Sequence, residues 1–265
     1  MATGRRIGCY ILRMDAPNLD PRAPLAPPGQ DELPWQDGQP MDSPKHGKQI
    51  HLLTETLQPH VARDTYIGAN MFLYYSVTQA KRNDFRGPDV FVALGVDPDR
   101  DRKSWVVWEE NGKSPDVVIE LLTEFTERED RTRKMRIYAS INVAEYFLFD
   151  PLDGRLEGYE LERPTRTFRP KARRKDGDYD CNVLELRLGA VEGEYEGVWN
   201  AWLRWKTPAG EVLPTGRESA SAERARAEAE SARAEAERAR AEAERARAER
   251  LAEKLRALGI DPQGS

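Results

Sequence analysis

Apolar and polar residues alternate along this chain in three rhythms. Between Ser43 and Val61 the apolar positions Ile50, Leu53, Leu57 and Val61 recur at spacings of three and four. That spacing lines one face of an α-helix and predicts a helix opened by Ser43 or Pro44. Short apolar runs follow at residues 71–75, 88–94, 105–108, 115–122 and 145–149, and they read as strands. Glu110-Asn111-Gly112 is a turn signal that ends the third run, and Asp150-Pro151 stops the fifth. Residues 115–122 are apolar on both faces, which predicts a central strand in a sheet covered on both sides. Between that strand and residue 145, residues 127–140 predict a helix with Met135 and Tyr138 turned inward. Later runs at 156–161, 182–188 and 198–205 predict antiparallel, peripheral strands.

The third rhythm is a heptad. Ala-Arg-Ala-Glu-Ala-Glu followed by Ser or Arg starts at Ala225, Ala232 and Ala239, with a degraded copy from Ala246. Alanine, arginine and glutamate are strong helix formers, so residues 217–258 predict one long helix. Ala225, Ala229, Ala232, Ala236, Ala239, Ala243 and Ala246 form a seam with coiled-coil spacing, but alanine buries little area. Two readings stand: a solvated single helix, and a close-packed helix through which the chain forms a homo-oligomer. Residues 1–42 are rich in proline and read as an irregular arm; residues 259–265 read as a disordered end. Residues 43–216 are left as the folded body.

Charge changes the picture only locally. The formal net charge is -5. The tail is close to balanced, so the body carries the deficit and does not attract nucleic acid by bulk charge. The basic run Lys171-Ala-Arg173-Arg174-Lys175 reads as a solvated loop. Two cysteines, Cys9 and Cys181, without zinc spacing fit a reducing, cytoplasmic compartment. No apolar run approaches the roughly 18 residues of a membrane span, and the start is too short and polar for a signal peptide.

Candidate chemistry lies in two strands that open on Pro-Asp, at Pro88-Asp89 and Pro115-Asp116, and in the helix after the second. Carboxylates on buried strands cost several kcal/mol unless a cation compensates them. Asp116 and Glu120 share a face but stand about 13 Å apart along the strand, too far to hold one ion. Asp116 therefore reads as a turn or capping residue. Asp89 is the natural partner of Glu120 if the two strands are neighbours, and such a pair can hold Mg²⁺ or Mn²⁺. Asp130, Lys134 and Tyr138 follow one another at i, i+4 and i+8 on one helix face. From spacing alone, Asp130 and Lys134 also read as an ordinary surface ion pair.

These pieces together resemble the Uma2 family of restriction-endonuclease-like proteins. The matching residues are Ser43-Pro44-Lys45-His46, Asn70 through Tyr75, Pro88 through Val92, Pro115-Asp116 with Glu120, Arg128-Glu129-Asp130 with Lys134 and Tyr138, and Glu145 through Pro151. The resemblance implies a PD-(D/E)xK nuclease fold: an α/β (α+β) architecture with a mixed sheet flanked by helices. To that fold this chain adds the long alanine-rich carboxy-terminal helix. It implies Asp89 and Glu120 as catalytic metal ligands and Lys134 as the catalytic lysine, because Leu122 stands where that fold usually has it. His46 is the helix-opening histidine of the family and joins Asp116, Asp130 and Tyr138 as an accessory candidate. Two positions depart from the family pattern: Leu121-Leu122-Thr123-Glu124 replaces a Ser-Pro ending, and Ile141-Asn142 replaces a Leu-Gly turn.

The expected function is a Mg²⁺-dependent endonuclease hydrolysing phosphodiester bonds of nucleic acid, with DNA the expected partner. The alternative is a nuclease-fold protein with weak catalysis that works as a binding or regulatory module and oligomerises through its carboxy-terminal helix.

Overall fold

The computed structural model describes residues 27–34, 43–81, 87–124 and 126–257. Most of the expected amino-terminal arm, and the expected end at 259–265, lie outside the described residues. The chain divides between Leu213 and Pro214 into two compact units.

The first helix, α1 (Pro44–Leu57), starts where the sequence places it. Ser43 is its N-cap, and the hydroxyl accepts the His46 backbone N–H at 3.1 Å. Pro44 follows at the first helical position, where its missing N–H costs nothing. Ile50, Leu53 and Leu57 are buried. In chain order follow β1 (Thr65–Ala69), β2 (Leu73–Tyr74), α2 (Val77–Lys81), β3 (Val90–Leu94), β4 (Trp105–Val106) and β5 (Val117–Leu121). Residues 127–140 comprise α3 (Glu127–Glu129), a π-helical turn (Asp130–Lys134) and α4 (Met135–Ser140). They lead to β6 (Glu145–Phe149), β7 (Leu156–Glu162), β8 (Thr167–Pro170), β9 (Tyr179–Cys181), β10 (Leu186–Tyr195) and β11 (Val198–Lys206).

The main sheet has six strands in the order β1-β3-β5-β6-β7-β8. Only β5 and β6 run parallel, joined through α3, the π turn and α4 as a parallel pair requires. Every residue of β5 and β6 is buried. The sheet therefore has a core on each face, as the double-sided apolar pattern predicts. On one face Val117, Ile119 and Leu121 pack with α1 and with Leu188, Leu203 and Trp205 of a second, three-stranded sheet, β11-β10-β9. On the other, Val118 and Leu122 pack with Tyr138, Val143 and Tyr146. The mixed α/β class and the long terminal helix match the expectation from sequence.

Three sequence expectations change. The late strands β9–β11 are antiparallel but not peripheral: Leu188, Leu203 and Trp205 are fully buried in the larger core. Strand β1 has no strong sequence signature because Gly68 interrupts it; that glycine lies opposite Phe91, and a Cβ there would meet the ring at 2.2 Å. Lys171, expected in a solvated loop, is buried and ion-paired to Glu145.

The carboxy-terminal unit contains α5 (Gly216–Ala257), one continuous helix of 42 residues with none buried. Thr215 starts it in a capping box: its hydroxyl accepts the Glu218 N–H at 3.1 Å, and Glu218 accepts the Thr215 N–H at 2.6 Å. Among the described residues, no helix is long and apolar enough to cross a membrane.

Candidate active site

Register brings the first two acids together. Strands β3 and β5 are antiparallel with Val90 opposite Ile119, so Asp89, one residue outward, stands opposite Glu120. Opposed side chains in such a pair share a face, with their Cβ atoms about 5 Å apart. The Leu121 N–H donates to Asp89 Oδ2 at 2.7 Å and locks that carboxylate across the strand pair. The other oxygen, Oδ1, lies 2.8 Å from His46 Nε2. The first turn of α1 thus reaches the end of the sheet and supports the acid of β3.

Glu120 is 1% exposed. Tyr138 donates its hydroxyl to Oε1 at 2.8 Å, and Lys134 Nζ lies 3.0 Å from Oε2. Lys134 also lies 2.8 Å from Asp130 Oδ1. Asp130 is buried, so this pair is part of an enclosed network and not the surface pair that spacing also allows. Burial pushes the Glu120 carboxyl up to about 8; Asp89 and Asp130 add to the rise, while Lys134 and the Tyr138 hydroxyl oppose it. Burial likewise raises Asp130 against the pull of Lys134. Burial disfavours the charged form of Lys134, but Glu120, Asp130 and Asp89 outweigh it and hold the ammonium above its usual range. One ammonium thus serves a space crowded with carboxylates.

The helix that carries Lys134 and Tyr138 is fixed at both ends. At its start the Arg131 guanidinium grips Glu157 of β7 through two hydrogen bonds, at 2.7 and 2.8 Å, and the Tyr146 hydroxyl donates to the Asp130 carbonyl at 3.0 Å. At its end Asn142 takes the left-handed conformation with φ 65°. The Val143 N–H reaches the Tyr138 carbonyl and the Asn142 N–H reaches that of Ala139, which is a Schellman closure. Asparagine thus does the work of the glycine that the family pattern has here. The π turn places Asp130 and Lys134 on the same buried space, and such turns gather at functional sites.

Residues 32–177, just over half of the chain, match the model of the Uma2 family, described as "Putative restriction endonuclease". The chain belongs to the Uma2 family. No curated protein matches it. Among solved structures the chain is similar to "a putative nuclease belonging to DUF820 from Anabaena variabilis ATCC 29413", with a TM-score of 0.40 and 14% identity over 55% of this chain and 76% of that one.

Within the Uma2 match lie all the residues that the structure gathers: His46, Asp89, Glu120, Asp130, Lys134 and Tyr138. Asp116 is not among them. It sits at the opposite end of β5, where Oδ2 accepts the Leu94 N–H at 2.8 Å and Lys113 approaches Oδ1 at 2.8 Å. That is the capping role its distance from Glu120 predicts. Sequence reading missed the Leu121 N–H and the Arg131–Glu157 clamp. A backbone donor has no signature, and nothing in the sequence of Glu157 points to Arg131, 26 residues earlier.

Proposed function

We propose that this Uma2 protein is a divalent-metal-dependent endonuclease that hydrolyses phosphodiester bonds of DNA. The observation that supports it is the convergence of Asp89, Glu120 and Lys134 from two neighbouring strands and one helix on one buried space.

The residues fit a divalent cation. Burial and the neighbouring acids raise the Glu120 carboxyl and make its anionic form costly, a cost that a bound cation relieves. Each carboxylate oxygen of Asp89 and Glu120 has a protein partner but keeps a second lone pair. Among the described residues, no three or more His, Cys, Asp or Glu side chains gather as ligands for one ion. Two carboxylates suit Mg²⁺ or Mn²⁺, since Mg²⁺ usually keeps several waters. When bound there, the ion supplies an activated water and a Lewis acid for a non-bridging phosphate oxygen. The chain's own groups do the rest. His46 and the Leu121 N–H hold Asp89 in one orientation, and Tyr138 holds Glu120. Lys134 offers its ammonium to the oxygens on which negative charge develops as the phosphodiester opens.

The alternative, a binding module with weak cleavage, draws on α5, a helix of 42 residues with no buried face, as an oligomerisation element. Incubating plasmid and single-stranded DNA with Mg²⁺ or Mn²⁺ separates the two. Wild-type protein is expected to cleave and Glu120→Gln to be inert while remaining folded. Equal cleavage by both, or by neither, overturns the endonuclease reading.

A further inference from the structure

The helix α5 has no buried residue, yet its sequence repeats every seven residues. A helix standing alone in water needs no such period. Seven residues fall about 20° short of two full turns, so a seam with this period keeps facing a partner only when helices wind around one another. The seam runs through Ala222, Ala225, Ala229, Ala232, Ala236, Ala239, Ala243 and Ala246, at alternating steps of three and four. Those are the a and d positions of a coiled coil, with Ala222 at a and Ala225 at d.

Charge, rather than the small seam residues, specifies the partner. The residue after each d position, at e, is an arginine: Arg226, Arg233, Arg240 and Arg247. The residue before each of the last three a positions, at g, is a glutamate: Glu228, Glu235 and Glu242. All of these side chains are exposed. Ion pairs along a single helix, such as Arg226 with Glu230, place no demand on the two flanks of the seam. Between two parallel helices in register, each g residue faces the e residue of the next heptad across the seam. Glu228, Glu235 and Glu242 then meet Arg233 of the partner subunit, Arg240 of the partner subunit and Arg247 of the partner subunit, and twofold symmetry makes each pair twice. In an antiparallel pair g faces g and e faces e, which sets glutamate on glutamate and arginine on arginine along the whole seam. The stems of these long side chains lie over the alanines and supply apolar cover that alanine lacks.

We infer that α5 is the surface on which a second copy of this chain docks, as a parallel, in-register, two-stranded coiled coil. Each body precedes its own α5 in the chain, so a parallel pair joins two bodies at the same end of one rod and unites two candidate sites in one assembly. The inference stands whether or not those sites cleave DNA.

The test is sedimentation equilibrium of the full chain over a range of concentrations. Wild-type protein is expected to associate to twice the chain mass. Glu228→Arg, Glu235→Arg and Glu242→Arg together turn both flanks basic and are expected to weaken association about tenfold or more. Arg233→Glu, Arg240→Glu and Arg247→Glu together turn both flanks acidic at these heptads and are expected to do the same. Mixing the two triple variants is expected to restore association, which loss of the helix would not allow. Direction is read from Ala225→Cys and Ala246→Cys, made separately in a Cys9→Ser background, Cys181 being buried. In a glutathione redox buffer each is expected to form a disulfide with a second copy of itself. An antiparallel pair, with only one position on its axis, cannot do this at both sites. A wild-type mass of one chain at every concentration overturns the inference, as does a mass of three or more chains. Association that the triple variants leave unchanged, or that mixing does not restore, overturns it too, and so does failure of either cysteine variant to crosslink.

Discussion

Replacing Lys134 with methionine removes the single ammonium from a space it shares with Glu120 and Asp130, while keeping most of the stem. The Lys134 side chain is 14% exposed and both carboxylates are 1% exposed, so the discount that applies to surface pairs does not apply here. Removing one partner of a buried ion pair costs about 3–5 kcal/mol. Glu120 escapes part of this, because burial and the neighbouring acids already raise its carboxyl and bring its neutral form within reach. Asp130 bears the remainder. Protonating a carboxyl with an ordinary pKa near 3.9 at pH 7 costs about 4 kcal/mol, so the expected loss at that pH is about 3–4 kcal/mol. The sign of the pH effect follows from proton counting. In the variant the folded state binds more protons than the unfolded state between the unfolded carboxyl value and the raised folded one, so stability falls as pH rises through that window. Going from pH 7 to pH 5 should therefore restore up to about 2.7 kcal/mol relative to wild type. Urea denaturation of both proteins in EDTA at the two pH values measures this, and cleavage of plasmid with Mg²⁺ measures the catalytic loss. A deficit below about 1 kcal/mol without pH dependence would mean the lysine behaves as a surface residue. Wild-type cleavage by the variant would remove it from the mechanism.

Arg131→Ala should loosen the clamp on Glu157, and cleavage should fall further than stability does. The Arg131 hydrogen bonds hold Glu157 below the usual carboxylate range. Their stabilising effect, about 1 kcal/mol or less for so exposed a pair, is present above about pH 4.5 and is lost as pH falls through the depressed folded value. A wild-type advantage that is the same at pH 7 and pH 3 in denaturation would contradict this. A chain ending at Leu213 should melt within about 2 °C of the full-length protein, because α5 has no buried residue; a larger drop by calorimetry refutes that.

The sequence makes legible what depends on local periodicity. The apolar stripe of α1, the doubly buried β5 and β6, and the alanine heptads of α5 each show their own spacing. The partnership of Asp89 and Glu120 is legible only conditionally, since it needs β3 beside β5, and strand order is a tertiary fact. The resemblance carried by the Pro-Asp pairs and Lys134 narrowed that choice. What stayed hidden depends on contacts between distant segments. Gly68 weakens the signature of β1 because its value lies in making room for Phe91 across the sheet. Lys171 looks like one cation in a basic run, and only folding turns it toward Glu145 while its neighbours stay in water. His46 signals its place in the N-terminal turn of α1, but not that this turn ends against Asp89.

The π turn between Glu129 and Met135 holds one residue more than the α-helical turn it replaces. Chain length is therefore a variable in its own right at this point. Deleting Thr132 or Arg133, both exposed, would let residues 127–140 close into plain α-helix. The segment from Met135 onward, with Tyr138 on Glu120, would stay in phase. The residues before it would keep their phase too, because the deletion removes the one residue the wide turn holds in excess, and Asp130 would stand three residues from the lysine instead of four, on the same side of the helix. A one-residue deletion here thus resets the spacing between the Asp130 carboxylate and the ammonium at the site without changing either strand-borne acid or any residue of the sheet.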